Sequence, residues 1–251
     1  MKTIVSVNNP FGCNRYGFAF EHIEENGKYL DYGCYDGWFI HNVKKNKRVE
    51  YIGIDKNKDI VKKNPYRLSL ICIEDLPLPF EKGEFDGITV LDVIEHIYDQ
   101  GSLLKELNRV LKKNGKLIVT VPKKHIFSFL DLGNLKFIFP KIHKIFYILK
   151  YSKEEYENRY LNNPNGLIGD VEKKKAWHQH FTENELKTLL EENGFRVQKL
   201  DGSALFQRIF ILLDILKLGF VIPSKIRKWD SCKFEKMNLF CEAIKMENVK
   251  N

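Results

Sequence analysis

Short apolar runs, each long enough for one buried strand, recur along most of this chain. They cover residues 28–32, 50–54, 68–72, 86–91, 116–121, 196–200 and 239–245. Segments with the 3.6-residue period of a helix lie between most of the first five runs. This alternation predicts βαβ units, in which right-handed crossovers join parallel strands. We therefore expect an α/β fold with a doubly wound, mostly parallel sheet of seven strands and helices on both faces.

Two segments carry the strongest helical patterns. In 103–113 the leucines and Val110 fall on one face at helical spacing. The segment 183–193 begins directly after Thr182, and Thr182 and Glu185 have the spacing of a capping box. A glycine comes shortly after each segment, as at the ends of many helices. Both helices are expected to pack on the sheet.

Two stretches interrupt the alternation, at 125–176 and 204–230. The first contains an apolar helical stripe between Ile142 and Leu149 beside several lysines, and the second contains an apolar run broken by charges. Both are too interrupted to cross a bilayer. The pattern leaves open whether each covers a substrate pocket, lies on a membrane surface, forms a dimer contact or adds to the core. We treat residues 1–251 as one domain, with 125–176 as a helical lid and 204–230 as an apolar helical insertion.

Composition narrows the class of protein and its surroundings. A chain of 251 residues with 43% apolar and 29% charged residues fits a globular domain. Its net charge of +8 favours an anionic partner such as phosphate, anionic lipid or nucleic acid, unless the charge lies on lysine-rich, solvated helix faces. The five cysteines lack metal-binding spacing, and their odd number does not indicate a disulfide framework, so we expect a reducing cytoplasm. Residues 1–12 do not have the pattern of a signal peptide.

A glycine-rich turn after the first apolar run indicates a nucleoside-binding site. Asp31 ends the run, Gly33 and Gly37 lie in the turn, and Asp55 ends the second run. Glycines let the backbone approach a ligand, and an acid at the end of the next strand accepts hydrogen bonds from ribose hydroxyls.

From this turn onward the sequence resembles the class I S-adenosylmethionine-dependent methyltransferases. Asp31 to Gly37 is similar to the family's first motif, an acid followed by three alternating glycines, and Gly53-Ile54-Asp55 resembles the ribose-binding end of its second strand. Further similar segments follow in the family's order, at 74–80, 84–96 and 109–117. The resemblance runs through about residues 28–122 and resumes around 178–200. It implies a Rossmann-like fold and S-adenosylmethionine as the cofactor.

The resemblance also implies which residues hold the cofactor. They are Asp31, Gly33, Cys34, Gly37, Asp55, Ile73, Glu74 and Leu91. Asp31 would hold the methionine ammonium, and Asp55 would accept from both ribose hydroxyls. Ile73 would cover an adenine face, with its own backbone or that of Glu74 reaching the ring nitrogens. The sequence departs from the family at Tyr35, in place of the middle glycine, and at Cys72, where many members carry an acid.

Methyl transfer is an in-line displacement at a carbon that the sulfonium already activates, so orientation supplies much of the rate. A hydroxyl acceptor usually needs a base as well. His96 is the first candidate, because it follows the fourth strand beside the expected crevice and an imidazole titrates near neutrality. The alternative is that His96 only marks a helix start. His178, His180 and His125 are rival bases, and the first two lack a third clear ligand, so no metal is expected.

These patterns favour an enzyme that transfers a methyl group from S-adenosylmethionine to a small-molecule, sugar or lipid-linked acceptor, with oxygen as the expected methylated atom. The apolar and basic insertion suits an amphiphilic or anionic acceptor and peripheral membrane contact, so we expect a cytoplasmic protein at the membrane surface. An RNA methyltransferase is the alternative that the charge supports. No RNA-binding module and no Asn/Asp-Pro-Pro-aromatic tetrapeptide is found, so nucleic acid is not the expected partner. Tyr35 and Cys72 support a third interpretation, an inactive nucleoside-binding scaffold.

Overall fold

The computed structural model describes residues 9–130, 139–158, 179–215, 217–218 and 222–246. Its strands are β1 (Lys28–Tyr32), β2 (Glu50–Asp55), β3 (Leu70–Cys72), β4 (Phe85–Leu91), β5 (Leu111–Pro122), β6 (Phe195–Ser203) and β7 (Asn238–Lys245). Its α-helices are α1 (Arg15–His22), α2 (Trp38–Asn46), α3 (Lys58–Lys63), α4 (Gln100–Val110), α5 (Pro140–Lys150), α6 (Lys153–Tyr156), α7 (Glu183–Glu192), α8 (Gln207–Ile215) and α9 (Ser224–Lys233). Short 3-10 turns lie at Ile94–His96 and Ser128–Leu130.

Within the described residues, seven strands form one sheet in the order β3-β2-β1-β4-β5-β7-β6. β1 to β5 are parallel, whereas β7 runs antiparallel to both β5 and β6. The chain moves outward from β1 to β3 and then returns to start β4 on the other side of β1. This reversal opens a crevice at the carboxyl ends of β1 and β4, where open α/β sheets bind ligands. The predicted Rossmann-like, mostly parallel sheet is confirmed.

Element boundaries shift by a few residues from the predicted ones. The helix predicted at 103–113 is α4, which begins earlier because the Asp99 side chain accepts from the backbone N–H of Ser102. Its apolar face is buried, as the spacing predicted. The capping box at the start of α7 is present as predicted, with reciprocal bonds between Thr182 and Glu185.

Two apolar clusters cover the sheet. The larger one joins β4, β5 and β7 to α4 and α7, and the smaller one joins α1 and α2 to β1 and β2. Phe39, one of the two aromatic residues at the start of α2, is buried in the smaller cluster, and Trp38 is 41% exposed. Burial of these two faces is the main stabilising contribution in such a layered fold.

The expectation that the cysteines form no disulfide is wrong for one pair. Cys13 and Cys232 are bonded, with their Cα atoms 5.2 Å apart across 219 residues of sequence. An odd number of cysteines says nothing about which ones the fold brings together, and Cys34, Cys72 and Cys241 are free. The prediction of a reducing compartment therefore loses the observation on which it depended.

The two predicted insertions differ from each other. In the first, residues 131–138 and 159–178 lie outside the described ranges, and the described part forms α5 and α6. In the second, Phe210 and Arg208 on α8 are buried, so this part adds to the core. No helix among the described residues is long and apolar enough to cross a membrane. The role of 125–176 as a lid stays a prediction.

Candidate active site

The site lies at the carboxyl ends of β1, β2 and β4. Asp31 is in register with Gly53 of β2 and with Thr89 of β4, and Asp55 is in register with Cys72 of β3. Parallel strands place these carboxyl ends at one edge of the sheet. The two acids predicted to hold the cofactor are thereby brought to the same crevice.

The turn after β1 is held against β2 by its backbone. The N–H groups of Gly33 and Cys34 both donate to the carbonyl of Ile54, at 2.8 and 3.0 Å. Cys34 itself is buried, and burial raises the pKa of its thiol, so the thiol is a packing group in the smaller cluster. The turn is therefore fixed before any ligand arrives.

Gly33 and Gly37 are needed for two separate reasons. Both have φ of +81°, a conformation that L side chains rarely adopt. A Cβ atom at Gly33 would also lie 2.4 Å from a methyl group of Val93, and one at Gly37 would lie 2.7 Å from Leu68. The glycines thus let the segment after β4 and the residues before β3 pack directly on the turn.

Tyr35 adopts the left-handed conformation that the missing glycine would take. Its φ is +52°, and its side chain is 62% exposed. Most of the surface of this residue is therefore open to solvent. The left-handed conformation costs a non-glycine residue about 1–2 kcal/mol, so tyrosine at this position lowers the stability of the turn.

Asp55 joins the turn to the start of α3. One carboxylate oxygen accepts from the N–H of Tyr35 at 2.8 Å, and the other accepts from the N–H of Asn57 at 2.9 Å. Each carboxylate oxygen has two lone-pair sites, so both can accept one further hydrogen bond. The geometry fits an acceptor for two neighbouring hydroxyl groups.

Asp31 is a buried carboxyl group in a chain of hydrogen bonds. The Thr89 hydroxyl donates to Asp31 at 2.6 Å and also lies 2.6 Å from the Tyr51 hydroxyl. Burial raises the pKa of Asp31 to about 7; the hydrogen bond from Thr89 works against this shift, and the charge of Asp55 adds to it. A carboxylate so placed is stabilised by a cationic ligand, such as an ammonium group.

The loop after β3 contains the residues predicted beside the adenine. The N–H of Ile73 donates to the carbonyl of Asp55 at 3.1 Å, and its side chain is half-buried against the larger cluster. The exposed Glu74 carboxylate forms an ion pair with Lys58 on α3. Cys72, in place of the family's acid, contacts the carbonyl of Lys56 through sulfur at 3.7 Å. The Glu74 side chain is thus paired with Lys58, and the place of Ile73 and Glu74 beside an adenine stays a prediction.

A further ionic contact, which the sequence did not predict, lies at the end of β4. Leu91 is half-buried there, and Asp92 follows with a φ of +55°. The Asp92 carboxylate accepts from the Thr120 hydroxyl at 2.6 Å and pairs with the Arg15 guanidinium of α1. Burial works against the charge on Arg15, but Asp92 and Tyr16 together raise the pKa of its guanidinium. A strained backbone held by two partners is typical of functional sites.

The histidines predicted as bases separate into two groups. His96 lies in the 3-10 turn after Asp92, with a side chain 13% exposed and its Nε2 atom 3.9 Å from the Glu95 carboxylate. His125 and His180 lie together beyond the end of β5, next to the buried Arg208. His178 lies outside the described residues. Among the described side chains, no group of three or more histidine, cysteine or acidic residues is arranged to hold a metal ion. The catalytic role of His96 stays a prediction.

A mostly parallel sheet with a glycine turn and two acids at its switch point defines a Rossmann-like nucleoside-binding protein. Comparison with known proteins identifies the family to which the chain belongs. A family model described as a methyltransferase domain matches residues 13–200, and the chain belongs to the class I S-adenosylmethionine-dependent methyltransferases. S-adenosylmethionine is the cofactor of this family.

Relatives of known name share part of the sequence. A demethylmenaquinone methyltransferase from Staphylococcus saprophyticus is 32% identical over 117 residues, which cover 43% of this chain and 49% of the relative. One from Staphylococcus haemolyticus is 27% identical over 218 residues, which cover 80% of this chain and 81% of the relative. The chain thus spans about half of the first relative and about four-fifths of the second.

Solved structures share the fold at low sequence identity. A methyltransferase from Mesorhizobium loti has a TM-score of 0.56 at 11% identity, covering 92% of this chain and 98% of its own. A methyltransferase from Thermotoga maritima has a TM-score of 0.54 at 18% identity, covering 94% and 91%. At these identities the likeness shows the fold alone.

Proposed function

We propose that this protein transfers a methyl group from S-adenosylmethionine to a small-molecule acceptor. The observation that carries the proposal is the crevice between Asp31 and Asp55. A buried carboxyl group lies near the end of β1, a hydrogen-bonded carboxylate ends β2, and a glycine turn held by Ile54 follows β1. Such a site can bind the ammonium of a methionine moiety at one end and ribose hydroxyls at the other.

The acceptor proposal draws on the relatives. Those from two Staphylococcus species are named demethylmenaquinone methyltransferases, so a small apolar acceptor is the class we propose for this chain. We keep oxygen as the proposed methylated atom and His96 as the proposed base. More specifically, we propose a sugar or a lipid-linked compound as the acceptor. The exposed apolar surface of α5 supports the lipid-linked compound.

Binding and transfer are tested separately. Calorimetry with S-adenosylhomocysteine tests the cofactor site, and absence of binding would support the inactive scaffold instead. Transfer of a radiolabelled methyl group into fractions of a cell extract then tests the acceptor class. Label recovered in organic-soluble small molecules supports the proposal, whereas label recovered in RNA would support the RNA methyltransferase.

A second proposal concerns the surface of α5. His143 and Tyr147 are buried on one side of this helix, whereas Ile142, Ile145 and Leu149 are 58%, 61% and 82% exposed. Exposed lysines lie on the same helix. An apolar stripe beside cationic side chains fits the surface of an anionic membrane, and we propose that α5 contacts it at the periphery.

Co-sedimentation with phosphatidylglycerol vesicles tests the membrane contact. Ile145→Glu should reduce binding by roughly tenfold, because a charged side chain enters the apolar stripe. Ile71→Glu is the matched control, since Ile71 is exposed on the edge strand β3, away from α5 in the sequence. Equal binding by the two variants would contradict the role of α5. The cytoplasmic location stays a prediction.

A further inference from the structure

A group of polar side chains converges beyond the carboxyl end of β5, and the cofactor site does not use it. The chain leaves β5 at Pro122 and is joined there by Phe181, whose N–H donates to the carbonyl of Pro122 at 2.9 Å. This pairing brings His180 beside the segment that carries His125. Arg208, at the start of α8, lies with its Nη2 atom 3.1 Å from Nε2 of His180.

His125 offers a buried donor to this group. Its Nδ1 atom accepts the backbone N–H of Phe127 at 3.2 Å, which assigns the hydrogen of the neutral ring to Nε2. Burial, together with the nearby charges of Arg208, His180 and Lys123, lowers the pKa of His125 to about 4, so the ring is neutral near pH 7. Nε2 is buried and has no acceptor among the described residues. A buried N–H without an acceptor is costly, so a ligand acceptor fits this position.

Arg208 is held rigidly in the same place. It is 7% exposed, and its Nη1 atom donates to the carbonyl of Ser128 at 3.3 Å. Asp230 of α9 accepts from the N–H groups of Leu205 and Phe206, both at 3.1 Å, and thereby fixes the residues before α8. The planar guanidinium has five donors in a fork that matches carboxylate and phosphate groups. Lys123, a further cation nearby, is paired with Glu183.

Aromatic rings adjoin the donors. Phe127 lies 6.0 Å from the His125 ring and 6.0 Å from Phe206 between ring centroids, and Phe206 lies 5.7 Å from Phe234. Phe127 and Phe206 are half-buried. A ligand here would meet hydrogen-bond donors at one end and an apolar wall beside them.

The donors lie at the sheet edge where the crevice opens. Thr120, two residues before the end of β5, bonds to Asp92 at the end of β4. Gln179, next to His180, accepts from Gln100 at 2.9 Å, and Gln100 also donates to the carbonyl of Ile94. The segment with His180 is thus tied to the turn that contains His96.

We propose that His125 and Arg208 bind an oxyanion of the methyl acceptor, a carboxylate or a phosphate carried on an apolar or aromatic body. His180 positions the guanidinium through its contact with Nη2. This inference rests on the proposed methyl transfer and narrows its acceptor to an amphipathic acid.

The test uses two simple probes, benzoate and phenyl phosphate, with the protein saturated with S-adenosylhomocysteine. Titration is followed by the NMR signal of the His125 ring carbon Cε1 and by calorimetry. Wild-type protein should saturate with at least one probe, and the tighter probe tells carboxylate from phosphate. Arg208→Gln should weaken binding by roughly tenfold or more, because it removes the charged fork.

Two further variants keep the result interpretable. Arg227→Gln is the matched control, since Arg227 pairs with Asp214 on the exposed side of α8, and it should change probe affinity by less than about twofold. His125→Gln removes the second donor and should also weaken binding of the probe. It therefore tests the site even if Arg208→Gln does not fold. Retained affinity for S-adenosylhomocysteine shows that each variant is folded.

Two outcomes would overturn the inference. One is that neither probe saturates the wild-type protein. The other is that Arg208→Gln and His125→Gln bind the probes as tightly as the wild-type protein does. Failure of S-adenosylhomocysteine to bind to wild-type protein would count against the proposed methyl transfer instead, so the two failures are distinguishable.

Discussion

Replacing Asp55 by alanine gives the sharpest test of the cofactor site. The carboxylate already holds the N–H groups of Tyr35 and Asn57, and each of its oxygens can accept one further hydrogen bond. A hydrogen bond to a charged group contributes about 1.5–3 kcal/mol. Water partly compensates in the variant, so we expect a loss of about 1–3 kcal/mol, roughly 5- to 150-fold in affinity for S-adenosylhomocysteine.

Part of that loss would come from loosening the turn after β1 and part from losing the hydrogen bonds to ribose. A modified ligand separates these two contributions. The 2′,3′-dideoxy analogue of S-adenosylhomocysteine lacks the hydroxyl groups that Asp55 is proposed to bind. Calorimetry with both ligands and both proteins gives a double-mutant cycle. Asp55→Ala should weaken the natural ligand far more than the analogue, because only the natural ligand loses a partner.

Asp59→Ala is the matched control, since Asp59 is an exposed acid in the first turn of α3, four residues further on. It should change the affinity by less than about twofold, because an exposed charge is screened. Equal losses for the two ligands on Asp55→Ala would refute the ribose assignment, and the role of Asp55 would then be limited to holding the turn.

Three further predictions concern Tyr35, Asp31 and His96. Tyr35→Gly should raise the free energy of unfolding by about 1 kcal/mol in urea denaturation, because glycine adopts φ of +52° without strain; an unchanged midpoint would contradict this. The pKa of Asp31 is raised from 3.8 to about 7. The folded chain therefore retains a proton that the unfolded chain releases between these pH values, and stability should fall as pH rises through this window by up to about 4 kcal/mol. Asp31→Asn should flatten that slope in urea titrations across the window, and an equally steep slope would show that another group is responsible. His96→Gln should lower turnover by roughly 100-fold with cofactor affinity unchanged, if His96 is the base; wild-type turnover would exclude that role.

The sequence by itself determined the class of fold and predicted which residues lie at the carboxyl ends of β1 and β2. Both follow from local patterns: the period of the apolar residues gives strands and helices, and a glycine turn between acids gives the nucleoside site. Parallel strands then bring Asp31 and Asp55 to one edge, because their carboxyl ends lie on the same side of the sheet. Tyr35, where the family usually has glycine, adopts a left-handed backbone conformation at an energetic cost.

Only the tertiary structure decided the contacts between distant parts of the chain. Arg15 pairs with Asp92 across 77 residues, Arg208 meets His180 across 28, and Cys13 bonds to Cys232 across 219. Nothing in the local periodicity marks these partners, because each pair depends on how elements distant in sequence pack against one another. The arrangement of Asp31 and Asp55 was therefore predictable from sequence, whereas the group formed by His125, His180 and Arg208 was not.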